Sequence, residues 1–220
     1  MNIITQHNYI IYIIILLNPN YLIELLTTNN IKIRKCIHIG AHKCEELPIY
    51  IKLGLSHNDI IWIEGNSDLV SLSKDNKIYN YIILDKDDCD IILYRANDTS
   101  SSSILDMYIH KEVYPKISYI NEIKSKSITI DTFLHLHNIN REEYNFLNIA
   151  IQGAELLALK GAINYLKYVN IIYCKIHEIE LYKNCASIKE LDEFLGGYNF
   201  RRIITIMTDK GWGDALYITS

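Results

Sequence analysis

Glycine and proline are scarce in this sequence, at nine and three of 220 residues. Collagen-like repeats and flexible Gly/Pro linkers are therefore excluded, and each glycine becomes a marker of a backbone constraint. Cysteine is sparse and odd in number: Cys36, Cys44, Cys89, Cys174 and Cys185. No two form C-x-x-C, which disfavours a disulfide framework and a zinc ribbon and suits a reducing compartment, here expected to be the cytoplasm. Basic excess is absent too. Lysine and arginine number 22 against 26 acidic residues, a net charge of −4, and no aromatic-basic stripe accompanies them, so nucleic acid is not expected as a partner. The chain lacks G-x-G-x-x-G and the P-loop pattern, which weakens dinucleotide and nucleoside-triphosphate readings. It also lacks H-E-x-x-H. His135-x-His137 and His38-x-x-x-His42 have metal-like spacing without a clear third ligand, so no metal is expected.

Only one long apolar run exists, at residues 9–17 (YIIYIIILL). It is too short for a membrane span, which needs about 20 apolar residues. It also lacks the preceding Lys or Arg and the small residues of a signal peptide. Stable membrane insertion is not expected. The run reads as a strand or short helix within an N-terminal extension, residues 1–30, packed on a single domain at 31–220.

Hydrophobic residues make up 49 % of the chain and charged residues 22 %, a balance that supports a sizeable core and excludes general disorder. Isoleucine is over-used, at 42 residues. With abundant Asn, Lys and Tyr this matches AT-rich codons, and it inflates β-propensity everywhere. Periodicity is the better guide. Strand-length apolar runs alternate with helical patterns, which predicts an α/β fold with a mainly parallel sheet. Strands are expected at 36–39, 60–64, 79–84, 91–95, 127–130, 146–151, 171–176, 200–207 and 215–218. Helices are expected at 21–26, from after His42 to about Leu53, from about Ser67 to Ser73, from Asp131, over 154–168 and over 188–195. Residues 104–125 read as irregular. Gly211-Trp212-Gly213 reads as the turn of a closing antiparallel hairpin, a common edge on a parallel sheet.

In such folds the ligand sits outside the carboxyl ends of the strands. The first strand ends at Gly40-Ala41-His42 and the second at Glu64, 24 positions after Gly40. A lone glycine lets a ligand approach the backbone, and an acid at this separation can accept hydrogen bonds from ribose hydroxyls. Together they suggest a nucleoside ligand without a pyrophosphate, a description that S-adenosylmethionine (SAM) fits. The plain alternative is that Glu64 only caps or is solvated.

Several segments together resemble the FkbM family of SAM-dependent methyltransferases. They are Ile37-His38-Ile39-Gly40-Ala41-His42-x-x-Glu45-Glu46, Ile61-Trp62-Ile63-Glu64-x-Asn66, Asn97-Asp98 with Ser101-Ser102-Ser103, and Ile128-Thr129-Ile130-Asp131-Thr132. Phe146-Leu147-Asn148-Ile149-x-Ile151-Gln152-Gly153-Ala154-Glu155-Leu156, Leu159-Lys160-Gly161-Ala162, Glu180-Leu181-Tyr182 and Trp212-Gly213-Asp214-Ala215-Leu216-Tyr217 complete the ordered set.

The resemblance implies a Rossmann-like class I methyltransferase fold, a seven-stranded mostly parallel sheet with helices on both faces. It implies SAM as cofactor and O-methylation of a sugar or glycan. Position by position, it implies that Gly40, Ala41 and His42 wrap the methionine end, that Glu64 holds the ribose and that Asn66 lies beside the adenosine, with Asp85 a further adenine-side candidate. Ser102, Gln152 and Glu155 are the acceptor candidates. The plain readings beside them are a solvated turn for the serines and backbone N–H pairing for Glu155.

Three departures stand against the family pattern: Cys44 where glycine is common, Ala150-Ile151 where Asp-Val is usual, and Lys175 where the fifth strand usually ends in Glu. A carboxylate at position 150 would be a natural general base. With it missing, His42 and His177 become the catalytic candidates, since histidine titrates near neutrality, each against the reading of a hydrogen-bonded loop histidine. Two function classes follow: an active O-methyltransferase, and a catalytically degenerate relative that keeps the SAM pocket without turnover. A nucleic-acid methyltransferase or a membrane-linked interaction protein is a third.

Overall fold

Strand burial sets the architecture. In the computed structural model, which describes residues 19–73 and 76–219, the strands β1 (Cys36–Ile39), β2 (Ile60–Glu64), β7 (Phe146–Ile149) and β8 (Ile171–His177) are buried along nearly their whole length. Strands buried on both faces belong to a parallel sheet covered on both sides. With β3 (Ile78–Asn80), β9 (Phe200–Met207) and β10 (Trp212–Thr219) they form a seven-stranded sheet of order β3-β2-β1-β7-β8-β10-β9. β3 through β8 in that order pair in parallel, and β10 runs antiparallel to both β8 and β9. The strand order reverses between β1 and β7, which makes that junction the topological switch point where a crevice opens.

Side-chain alternation divides the core into two layers. Ile37, Ile39, Leu147, Ile149, Ile172 and Cys174 face one side, covered by Phe133 and Leu134 of the helix Ile130–Leu136 and Leu191 and Leu195 of the helix Ile188–Gly196. Cys36, Trp62, Phe146, Ile171 and Tyr173 face the other. There Leu22 and Leu26 of α1 (Pro19–Thr28) and Tyr50 of α2 (Leu47–Lys52) close the layer. Each such buried side chain stabilises the fold by about 1.5–3 kcal/mol. α2 ends on Gly54 at a φ of +88°, whose N–H and that of Leu55 close a C-terminal cap on Ile51 and Tyr50 carbonyls. α3 (Ser67–Leu72) is capped by the Asn66 side chain accepting from the Asp68 N–H.

Five stretches differ from the sequence expectation. The stretch 79–84 is not one strand: Tyr81 separates β3 from β4 (Ile82–Ile83), and β4 joins a second, three-stranded sheet of order β4-β6-β5. The region expected to be irregular contains β6 (Tyr119–Ile128), which pairs antiparallel with β5 (Asp90–Ala96). β6 is mostly solvent-facing and polar (NEIKSKS), so its apolar signal is weak and its partner supplies the order. It also absorbs the strand expected at 127–130. Its last residue is Ile128, and Thr129 then caps the helix Ile130–Leu136. The helix expected over 154–168 stops at Lys160, the end of Glu155–Lys160. Gly161 follows it, where a Cβ would lie 2.0 Å from the Leu84 carbonyl oxygen, so the chain turns against the second sheet. Trp212 and Gly213 belong to β10 rather than to the closing turn.

Residues 9–17 lie outside the described residues. Among the described residues no helix is long and apolar enough to cross a membrane, and no group of three or more His, Cys, Asp or Glu could hold a metal ion.

Candidate active site

The switch point is built from backbone first. Gly40 has a φ of +88°, and a Cβ there would lie 2.2 Å from the Ala150 carbonyl oxygen. Only glycine lets β1 and β7 meet this closely while the chain turns. The Gly40 and Ala41 N–H groups donate to the Ile63 carbonyl at 2.8 and 3.0 Å, tying the turn to β2. His42 and Cys44 follow at φ of 46° and 60°, so the loop keeps a left-handed course through two non-glycine residues.

Glu64 organises both neighbouring loops. Its Oε2 accepts from the His42 N–H at 2.8 Å and its Oε1 from the Asn66 N–H at 2.7 Å. An ionised carboxylate has about four acceptor positions, so these two donors do not exhaust it. Burial pushes the Glu64 carboxyl up from its ordinary value, against the pull of the Asn66 and His42 donors. The His42 ring is doubly engaged, through Nδ1 with Glu45 Oε1 at 2.7 Å and through Nε2 with Thr99 Oγ1 at 2.8 Å. It therefore joins the glycine turn to the polar loop after β5. Burial alone would lower the His42 pKa, but the Glu45 hydrogen bond and charge, with Glu64, leave it raised.

These groups open onto one cavity of about 920 Å³, near the top of the range of small-molecule sites. Beside Glu64 its wall is apolar, made by Ile63, Ile82, Leu84 and Leu93. The far half is polar. Asn148 of β7, Tyr173 and Lys175 of β8 and Asp214 of β10 come from the same side of the sheet, and Glu46 reaches in from the residue before α2. Lys175 and Asp214 are register partners across β8 and β10. The Lys175 Nζ stands 4.0 Å from the centre of the Trp212 ring. Burial raises the Asp214 carboxyl against the attraction of Lys175 and the Tyr173 hydroxyl.

Of the residues singled out in the sequence, Gly40, His42, Glu64, Ser102 and Gln152 line this cavity, as do the divergent Ala150 and Lys175. Ser102 and Gln152 also hold the loop. Ser102 Oγ donates to the Thr99 carbonyl at 2.8 Å, and Gln152 Nε2 donates to the Ser100 carbonyl at 2.7 Å. Ala41, Asn66, Asp85, Glu155 and His177 are not among the lining residues. Ala41 and Asn66 are buried just behind the wall, and Asp85 follows Leu84 beyond it. Glu155 takes the plainer of its two readings: its oxygens accept from the Ile151 and Gly153 N–H groups at 3.0 and 2.9 Å. His177 is buried, and burial together with Lys175 and His110 pushes it down to about 3, so it stays neutral.

Glu46, Thr99, Asn148, Tyr173 and Asp214 also line or border the cavity without having been singled out as site residues. Four of the five sit within or beside the motif segments; what conceals them is that their convergence needs strands far apart in sequence.

A sheet of this order, with a glycine turn at the switch point and an acid ending the adjacent strand, is a Rossmann-like methyltransferase fold. The sequence matches the family model described as Methyltransferase FkbM domain over residues 38–202, and the chain belongs to that family of methyltransferases. No curated protein matches it.

Proposed function

We propose that this protein is a SAM-dependent O-methyltransferase that acts on a hydroxyl of a sugar or glycan. The observation that carries the reading is one cavity lined by Gly40, Glu64 and the apolar Ile63, Ile82, Leu84 and Leu93 on one side and by the polar Glu46, Asn148, Lys175 and Asp214 on the other. The residues fit the cofactor. Gly40 turns the chain at the switch point without a Cβ, which would strike the Ala150 carbonyl oxygen, the Glu64 carboxylate lines the cavity where it can accept from ribose hydroxyls, and the apolar wall suits adenine. When bound, SAM supplies an activated methyl on a sulfonium.

In this reading Glu64 orients the ribose, and the loop from Gly40 to His42 holds the methionine end. His42 acts by latching that loop to Thr99 rather than as a free base, because both ring nitrogens are engaged. Ser102 and Gln152 shape the acceptor entrance. Holding the acceptor oxygen in line with the methyl supplies much of the rate through proximity. The five free thiols support a reducing, cytoplasmic setting.

Titration calorimetry with SAM and with S-adenosylhomocysteine tests the reading. Binding of both that weakens in Glu64→Gln is expected; no binding by the wild type overturns it. Ala150 favours the second reading, a degenerate binder, because it places a methyl group where the family carries a carboxylate. SAM binding without turnover across a panel of glycans supports that reading, and methyl transfer by the wild type excludes it.

A further inference from the structure

The loss of the acid at position 150 leaves the question of where an acceptor proton goes. The cavity itself contains another carboxylate on the same side of the sheet. Glu46 lines the polar half, and its Oε2 lies 4.0 Å from His38 Nδ1. The Tyr50 hydroxyl meets the same His38 nitrogen at 3.0 Å, and Asn148 Nδ2 donates to the Tyr50 oxygen at 2.6 Å. One imidazole and one phenol thus connect Glu46 to Asn148, two residues before Ala150 on β7. Asn148 is 1 % exposed, lines the cavity and leaves its Oδ1 without a hydrogen-bond donor among the described residues. A buried carbonyl oxygen in that state marks a place where a ligand donor belongs.

We propose that Glu46 is the catalytic base of the methyl transfer and that Asn148 Oδ1 receives a second hydroxyl of the acceptor, which makes the acceptor a vicinal diol such as a sugar ring presents. This rests on the SAM reading above. The acceptor oxygen forms its bond to the methyl carbon as the carbon–sulfur bond breaks, and that bond's electron pair stays on sulfur as a neutral thioether. The hydroxyl proton passes to the Glu46 carboxylate and from there to water. Asn148 accepts from the neighbouring hydroxyl and fixes the ring.

The surroundings favour a base that works near neutrality. Burial pushes Glu46 up to about 7, and Glu45 and Asp214 push the same way while His42 opposes them. Besides these, His38 and Cys36 of β1, Cys44 of the loop, Tyr50 of α2 and Tyr173 of β8 face it.

The test needs no acceptor. Calorimetry at pH 7 in two buffers of different ionisation enthalpy gives the protons released when SAM and when S-adenosylhomocysteine bind. A sulfonium beside a partly protonated Glu46 displaces its proton, whereas the neutral thioether does not. The wild type is expected to release more protons with SAM than with the thioether. Glu46→Gln is expected to abolish that excess while keeping thioether affinity within about threefold. Glu46→Asp, which retains a carboxylate, is expected to keep a smaller excess.

An undiminished excess in Glu46→Gln overturns the assignment of Glu46 and leaves the SAM reading standing. Loss of thioether binding in Glu46→Gln, with Glu46→Asp equally affected, makes Glu46 a cofactor-site residue instead. Failure of the wild type to bind either probe overturns the SAM reading and this one with it. With methyl glycosides of glucose, mannose and fucose as acceptors, Glu46→Gln is expected to lower kcat by about 10²–10⁴-fold with KM for SAM unchanged. The acid limb of the pH profile, near 7, is expected to disappear with it.

Discussion

The two halves of the cavity are made in different ways. The half around Gly40 and Glu64 is mostly backbone: a left-handed glycine, N–H groups tied to the Ile63 carbonyl, and one carboxylate that satisfies two loops. The half around Glu46, Asn148, Tyr173, Lys175 and Asp214 is made of side chains from four separate segments. Backbone-built sites depend on few residue identities, so they persist while the chemistry beside them varies. Of the three departures read from the family resemblance, Ala150 and Lys175 fall at the side-chain-built half, and the third, Cys44, lies in the glycine loop, where it keeps the left-handed backbone at a φ of 60°.

The sharpest way to break this comparison is Gly40→Ala. The new Cβ meets the Ala150 carbonyl oxygen, and the residue must hold a φ of +88°. A stability loss of about 4 kcal/mol in denaturant unfolding and loss of S-adenosylhomocysteine binding are expected; binding at wild-type strength contradicts the backbone account. Lys175→Met probes the other half. It removes the cation that faces the buried Asp214, at an expected cost of about 3 kcal/mol, yet thioether affinity should change by less than about threefold. A variant that keeps its stability but loses the thioether would merge the two halves into one.

Glu64→Gln should weaken thioether binding by about 10²-fold, the loss of charge-assisted hydrogen bonds worth roughly 2–3 kcal/mol, with Glu46-dependent proton release from any residual complex unaltered. The smallest effect is on the pH dependence of stability. Burial raises both Glu46 and Glu155 to about 7. A folded pKa above the unfolded one gives stability that is fully present below the unfolded value and is lost as pH rises through the folded value. These two carboxyls therefore lower Tm as pH rises from about 4.5 to 7. The buried His38 and His177, held down to about 3, act in the opposite sense. Removing one carboxyl in Glu46→Gln should make the change in Tm over that range less negative than in the wild type. An equal slope in both proteins assigns the effect to the other raised groups, Glu155, Glu64, Asp214 and His42.

The contrast also explains what the sequence disclosed. Strands β1, β2, β7 and β8 were legible because continuous apolar runs mark a buried sheet, and Gly40 and Glu64 because their spacing follows from one strand–turn–helix unit. β6 was not, because its order comes from pairing with β5 rather than from its own apolar pattern. Glu46 shows the same limit at the site. Read locally it is an acid before a helix that suits the dipole; only the approach of His38, Tyr50 and Asn148 brings it into the polar half of the cavity. Glu155 shows the reverse, a motif acid whose role is to clamp its own turn.

A crystal structure of the protein with S-adenosylhomocysteine tests the division of the cavity most directly. The account predicts both ribose hydroxyls on Glu64, adenine against Ile82 and Leu93, and the sulfur turned toward Glu46 and Asn148. A nucleoside bound with its ribose away from Glu64, or a sulfur facing away from Glu46, would contradict it.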